Sequence, residues 1–155
     1  QNIIIPSPLP QEKDNGAPLP FDGNFWSISH KTDYVMAALS NISFGVDVEK
    51  IYPRSPELMN HVLNDYEQSL IPENEEKWFY FYRFWTGKES VLKAESIGMA
   101  GLSKCRVRKV INSELLEVTY EDKIYLIKQI IKDDHVFAIS CAKEHIINWN
   151  FEKIG

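Results

Sequence analysis

Several large functional classes are excluded by what the sequence does not contain. It has no GxxxxGK[ST] and no GxGxxG, so neither P-loop nor Rossmann nucleotide chemistry is supported. Positive charge is in deficit: 17 Lys and Arg against 22 Asp and Glu give a formal net charge of -5, which argues against general nucleic-acid binding while leaving room for a local basic pocket. No apolar run approaches the roughly 18–20 residues needed to span a bilayer, so no membrane segment is expected. The opening QNIIIPSPLP lacks the cationic region and apolar stretch of a secretion signal. Cysteine is scarce. Cys105 and Cys141 lack metal-ligand spacing and read most simply as two reduced thiols of a cytoplasmic protein. His61, His135 and His145 have no zinc spacing with them. A first residue of Gln rather than Met suggests processing, or a chain that begins inside a longer product.

What remains is an ordinary globular composition, 155 residues at 44% hydrophobic and 25% charged, enough for one domain with a sizeable core. Five of the eight prolines lie at positions 6, 8, 10, 18 and 20, so residues 1–22 read as an extended arm or linker. FWSISH (25–30), YVMAALS (34–40) and FGVDVE (44–49) are short apolar runs separated by polar turns, the spacing of successive strands. Residues 55–71 predict one helix, with Ser55 as N-cap and Pro56 at the first helical position. Residues 74–96 predict a longer helix, acidic in its first turn, with Trp78, Tyr82, Trp85 and Phe81 on a buried stripe. Gly98 and Gly101 end that helix and open a loop. CRVRKVI, LLEVTY, KIYLIKQII and HVFAISCA suggest three or four antiparallel strands. The class is α+β, an antiparallel sheet packed against a long helix.

Three segments are candidates to carry chemistry. In FGVDVE, Asp47 and Glu49 are two apart and share one face of a strand. Alone, they read as solvated carboxylates on the polar face of an edge strand. Ionising both in close company is costly without a cation, and Mg²⁺ suits such a site because it takes one or two carboxylates together with waters and phosphates. In FWTGKESVLKA (84–94), Glu89 and Lys93 are four apart on one helix face, where an ordinary Glu–Lys pair is the simple reading and a metal-and-phosphate face the alternative. Lys88 points about 100° away around that helix, either to solvent or to another part of the same ligand. SISHK offers Ser27, Ser29, His30 and Lys31 at one strand end, either a plain surface turn or a phosphate cradle.

Taken together, in order, these segments resemble the 4'-phosphopantetheinyl transferases, specifically the larger pseudo-dimeric type that activates peptide and polyketide synthases. The family strand (V/I)G(V/I)D(I/V)E stands here as FGVDVEK, Phe44–Lys50, and (F/W)(S/T)xKE(A/S)xxK follows roughly forty residues later as FWTGKESVLKA. The upstream (N)(I)SH(S) appears as SISHK, GxGL as GMAGL (98–102), and an acidic residue of the intervening helix as Glu67. The resemblance covers residues 16–142. It implies Mg²⁺ (or Mn²⁺) on Asp47, Glu49 and Glu89, catalysis by Glu89 as base and Lys93 at the phosphates, and coenzyme A held through Ser29, His30, Lys88 and Lys93. The substrate implied is an apo acyl or peptidyl carrier protein, as in a holo-acyl-carrier-protein synthase of fatty-acid, polyketide or peptide synthesis, with 3',5'-adenosine bisphosphate released. A basic patch, Arg106, Arg108 and Lys109, is the candidate carrier surface, with a charge-protected edge strand as the other reading. Most of the family's first half is missing, and Ala17 stands in NGAPLP where the family's GKP has a phosphate-binding Lys. Residues 23–43 are then the end of an N-terminal half and 44–155 the C-terminal half. A missing N-terminal portion, or a second copy as in compact trimeric synthases, completes the site. A non-catalytic half-domain that binds metal or a carrier protein is the competing reading.

Overall fold

A computed structural model describes residues 11–14, 16–73, 75–141 and 147–153. Residues 1–10 of the proline-rich arm, and Asn74 at the expected start of the long helix, lie outside the described residues.

The chain forms a hairpin, β1 (Phe25–Lys31) and β2 (Tyr34–Ser40), and then β3 (Phe44–Lys50). Three helices follow: α1 (Pro56–Val62), α2 (Asp65–Ser69) and α3 (Lys77–Ala94). A 3₁₀ turn over Gly98–Lys104 leads into β4 (Cys105–Val110), β5 (Leu115–Tyr120), β6 (Lys123–Lys132) and β7 (His135–Cys141). All four expected late strands are present. The main sheet is antiparallel throughout, in the order β3-β7-β6-β5-β4. β3 therefore leaves its sequence neighbours β1 and β2 and pairs with the last strand, Asp47 opposite Ala138.

The expected helix over 55–71 is two helices. Leu63 is extended and Asn64 begins a new cap: its side chain accepts from the Glu67 amide while the Glu67 carboxylate accepts from the Asn64 amide. This reciprocal cap restarts the chain in a new direction, and helical spacing of apolar residues carries no trace of it.

α3 lies across one face of the sheet, and the one-stripe expectation is too narrow. Phe81, Tyr82, Phe84, Val91 and Leu92 are buried, and so are Arg83, Thr86, Lys88 and Ser90, whereas Trp78 and Trp85 are only partly covered. Nor is the first turn acidic; Glu76 sits at the cap position. Polar residues on the buried faces are satisfied individually. The Arg83 guanidinium donates to Gln129 Oε1 at 3.0 Å and to the Asn112 carbonyl at 2.8 Å, and Gln129 returns a bond to the Arg83 carbonyl. Buried polar groups are tolerated where each finds such a partner.

The arm is folded where it is described. Leu19 and Lys13 amides bond the Gln11 and Ala17 carbonyls, and the Trp26 indole donates to the Leu19 carbonyl. Both cysteines are free and buried. Among the described residues, no helix is long and apolar enough to cross a membrane.

Candidate functional site

The site begins at Gly45. A Cβ there would stand 2.0 Å from the Ser90 carbonyl oxygen and 2.7 Å from the Ala94 amide nitrogen, so only glycine lets α3 approach β3 this closely. Strand alternation then directs Asp47 and Glu49, like Gly45, toward the α3 side, while Val46 and Val48 are buried on the other face. Ser140 clamps the junction, its hydroxyl donating to the Ser90 carbonyl at 2.8 Å and accepting from the Gly45 amide.

On the free edge of β3, the hairpin contributes side chains rather than backbone. The Val46 and Val48 amides donate to Ser27 Oγ (3.0 Å) and Ser29 Oγ (3.3 Å), which satisfies an edge that would otherwise be unpaired. Ser29 in turn donates to Asp47 Oδ1 at 2.8 Å. The Lys93 ammonium reaches that same oxygen at 2.8 Å. Asp47 Oδ2 and Glu89 Oε1 are buried with no hydrogen-bond partner.

The electrostatics follow from this arrangement. Burial pushes the Glu89 carboxyl up to about 7, with the negative charges of Asp47 and Glu49 adding to it and Lys93 opposing. Asp47 is also raised: burial outweighs the Lys93 ammonium and the Ser29 hydroxyl. Two orphaned carboxylate oxygens in a desolvated setting form a donor set suited to a hard divalent cation. In the present arrangement, no group of three or more His, Cys, Asp or Glu among the described residues stands close enough to hold a metal ion. Glu49 is turned instead toward Lys31, 2.7 Å away.

Glu89 and Lys93 open onto a cleft of about 250 Å³, walled by Gly16, Ala17 and Pro18 of the arm, Ser27 and Ile28 of β1, and Gly98 and Met99 of the 3₁₀ turn. Ala17, where a lysine was expected, lines this cleft directly.

The structure thus brings Asp47, Glu89, Lys93 and Ser29 together, with Glu49 alongside. It separates two others. His30 is exposed on the outer face of β1, because residues 29 and 30 of a strand point oppositely; they do not form one cradle. Ser29 is buried with its hydroxyl proton on Asp47, so it positions the carboxylate instead of facing solvent.

Lys88 is a clearer correction. Its ammonium is buried and donates to Glu67 Oε2 and the Val62 carbonyl, both at 2.7 Å, while Glu67 Oε1 accepts from the Val107 amide at 2.6 Å. Lys88 ties α3 to the α1–α2 junction and β4 and does not line the cleft onto which Glu89 and Lys93 open. Removing one partner leaves a buried charge alone, so Lys88→Met is expected to destabilise the fold by about 3–5 kcal/mol, with the Glu67→Gln, Lys88→Met double variant recovering part of this. Urea denaturation of the three proteins measures it.

Arg106 and Arg108 lie exposed on β4, the edge strand farthest from β3, roughly 19 Å across four strand spacings. Arg108 faces Glu117 at 3.4 Å. The patch is a charged edge of the sheet and does not line the cleft. Sequence reasoning also missed Lys31 and Glu67 as ion-pair partners. The period of two along β1 places residues 27, 29 and 31 on one face and was the available signal for Lys31.

Against this geometry, the chain matches the family model "4'-phosphopantetheinyl transferase superfamily" over residues 43–146. It is 33% identical over 81 residues to 4'-phosphopantetheinyl transferase Sfp of Bacillus subtilis (strain 168), covering 51% of this chain and 36% of that protein. It is 34% identical over 77 residues to 4'-phosphopantetheinyl transferase ffp of Bacillus subtilis, covering 48% and 34%. To 4'-phosphopantetheinyl transferase psf-1 of Bacillus pumilus the identity is 28% over 86 residues, 54% and 37% of the two chains. The matched regions span little more than a third of each relative's length. The family match takes in β3, α3 and every strand of the main sheet, and so the chain belongs to the 4'-phosphopantetheinyl transferase superfamily.

Proposed function

We propose that this chain carries the metal- and diphosphate-handling half of an enzyme that transfers the 4'-phosphopantetheine arm of coenzyme A to a serine of an acyl or peptidyl carrier protein. The observation that carries the reading is the pair of buried, unpartnered carboxylate oxygens, Asp47 Oδ2 and Glu89 Oε1, held beside the Lys93 ammonium at the β3–α3 junction. Membership of the superfamily and the likeness to the Bacillus transferases support the same assignment.

The chemical problem is attack by a serine hydroxyl on the β-phosphorus of a diphosphate, with 3',5'-adenosine bisphosphate leaving. Asp47, Glu89 and Glu49 would hold a divalent cation, Mg²⁺ or Mn²⁺, which when bound supplies charge neutralisation at the diphosphate. Glu89 would also be placed to accept the serine proton, directly or through a water. Lys93, partly exposed at the cleft, offsets the charge that builds on the leaving phosphate. His30 on the open face of β1 would take the 3'-phosphate of coenzyme A. Ser29 keeps Asp47 oriented. The two buried free thiols suit a reducing compartment such as the cytoplasm.

Mass spectrometry tests the proposal: apo carrier protein is incubated with coenzyme A, Mg²⁺ and this chain. A carrier heavier by one phosphopantetheine arm is the expected result. No gain with this chain, or with a form extended at its N-terminus, overturns the enzymatic reading in favour of a non-catalytic module. A gain only with the extended form shows that the N-terminal half is needed to complete the site.

A further inference from the structure

Ser27, Ser29 and Lys31 form one row along β1, all facing β3. The two hydroxyls close the edge amides of Val46 and Val48, and the ammonium at the end of the row reaches Glu49 Oε2 at 2.7 Å. On the other side, Lys93 holds Asp47. The two carboxylates of β3 are therefore drawn toward different lysines, Asp47 to α3 and Glu49 to β1, and they do not converge with Glu89 into a three-carboxylate group.

The two ion pairs are not equivalent. The two lysines are similarly exposed, Lys93 at 30% and Lys31 at 34%, but Asp47 is 6% exposed and anchored by Ser29 as well, whereas Glu49 is 19% exposed. A partly exposed pair is weak and exchanges partners readily. The long, flexible stem of Lys31 lets its ammonium follow whichever anion is nearest.

Resting on the reading of the β3–α3 junction as a metal and diphosphate site, we propose that Lys31 is a resident counter-ion of Glu49 that a divalent cation must displace, and that the diphosphate receives it. A metal ion alone competes with Lys31 for Glu49. With an anionic diphosphate at the site, Lys31 has a second partner, and Glu49 is released to the cation. Metal and diphosphate then strengthen each other's binding, and linkage requires that effect to be reciprocal.

The test titrates Mn²⁺ into the full chain, with free ion read by electron paramagnetic resonance, for the native protein, Lys31→Ser and Lys31→Gln, each with and without coenzyme A as the diphosphate probe. Without coenzyme A, both variants are expected to bind Mn²⁺ about tenfold more tightly than the native chain, and with it the difference should fall to about twofold or less. Equal or weaker binding by the variants without coenzyme A overturns the proposal, as does a tenfold advantage that coenzyme A leaves unchanged. Those outcomes leave the metal site itself standing. No Mn²⁺ binding by any of the proteins, or binding that survives Asp47→Asn undiminished, overturns the underlying site as well.

Discussion

Glu89→Gln is expected to reduce arm transfer about a thousandfold or more while making the metal-free protein more stable at pH 8. The first follows from the loss of the proton acceptor and cation ligand, the second from burial of the carboxyl. The Glu89 carboxyl is raised from 4.5 to about 7 because it is buried beside Asp47 with one oxygen unpartnered. Its native pKa lies above the unfolded one, so the folded protein holds the extra proton between those values. That contribution to stability is fully present below about pH 4.5 and is lost as pH rises through 7. Glutamine, neutral at every pH, escapes the loss. Denaturation curves should therefore separate the variant from the native protein by on the order of 3 kcal/mol at pH 8 and by little at pH 4.5. Mg²⁺ should narrow the gap at pH 8, because it stabilises the native carboxylate and has less to hold in the amide. A variant that transfers the arm normally, or that is no more stable at pH 8, contradicts the role given to Glu89.

Gly45→Ala is expected to be the most damaging single methyl in the protein. Its Cβ would lie 2.0 Å from the Ser90 oxygen and 2.9 Å from Lys93 Cβ. The Ser90 carbonyl is itself held by Ser140 at 2.8 Å, so helix backbone, not a flexible side-chain tip, would have to give way. α3 must lift from β3 or the strand must shift, and either moves Glu89 and Lys93 away from Asp47. A loss of about 3 kcal/mol or more is expected, with transfer absent even where the variant is folded. Gly87→Ala is the matched control. It lies on α3, the helix that packs on Gly45, but its added Cβ meets side chains at 3.4 Å and beyond, and the better helix propensity of alanine offsets any crowding. Urea denaturation of the pair, with carrier modification assayed at low temperature, gives the comparison. Similar behaviour of the two variants would show that α3 is not seated on β3 through Gly45.

Much of this was legible in the residues, and the places where it was not have physical causes. β1, β2 and β3 were readable because each is a short apolar run bounded by polar turns. The joining of β3 to β7 was not, because nothing local in FGVDVE names a partner ninety residues away. The break at Leu63–Asn64 was hidden by apolar spacing that runs on through it, although Asn64 and Glu67 carried the capping signature. Asp47, Glu89 and Lys93 were singled out by motif, and their meeting depends on Gly45, a residue whose importance lies in having no side chain. Glu89 and Lys93 looked like an i,i+4 pair; Lys93 bonds Asp47 instead, across the close β3–α3 contact that Gly45 allows. Lys88 was misread because a lysine beside Glu89 looks solvated until α1, α2 and β4 close over it. Ser29 and His30 were read as neighbours in sequence, and a strand sends neighbours to opposite faces.

The fold keeps a desolvated carboxylate at the β3–α3 junction with one oxygen unpartnered, and the proposed divalent cation would supply its missing partner. The most direct measurement follows the Glu89 side-chain carboxyl by ¹³C NMR through a pH titration, with and without Mg²⁺. A midpoint near 7 is expected in the metal-free protein, with a marked fall when Mg²⁺ is added, since a bound cation favours the ionised form. A midpoint at the ordinary value for glutamate, or one that Mg²⁺ does not move, would contradict it.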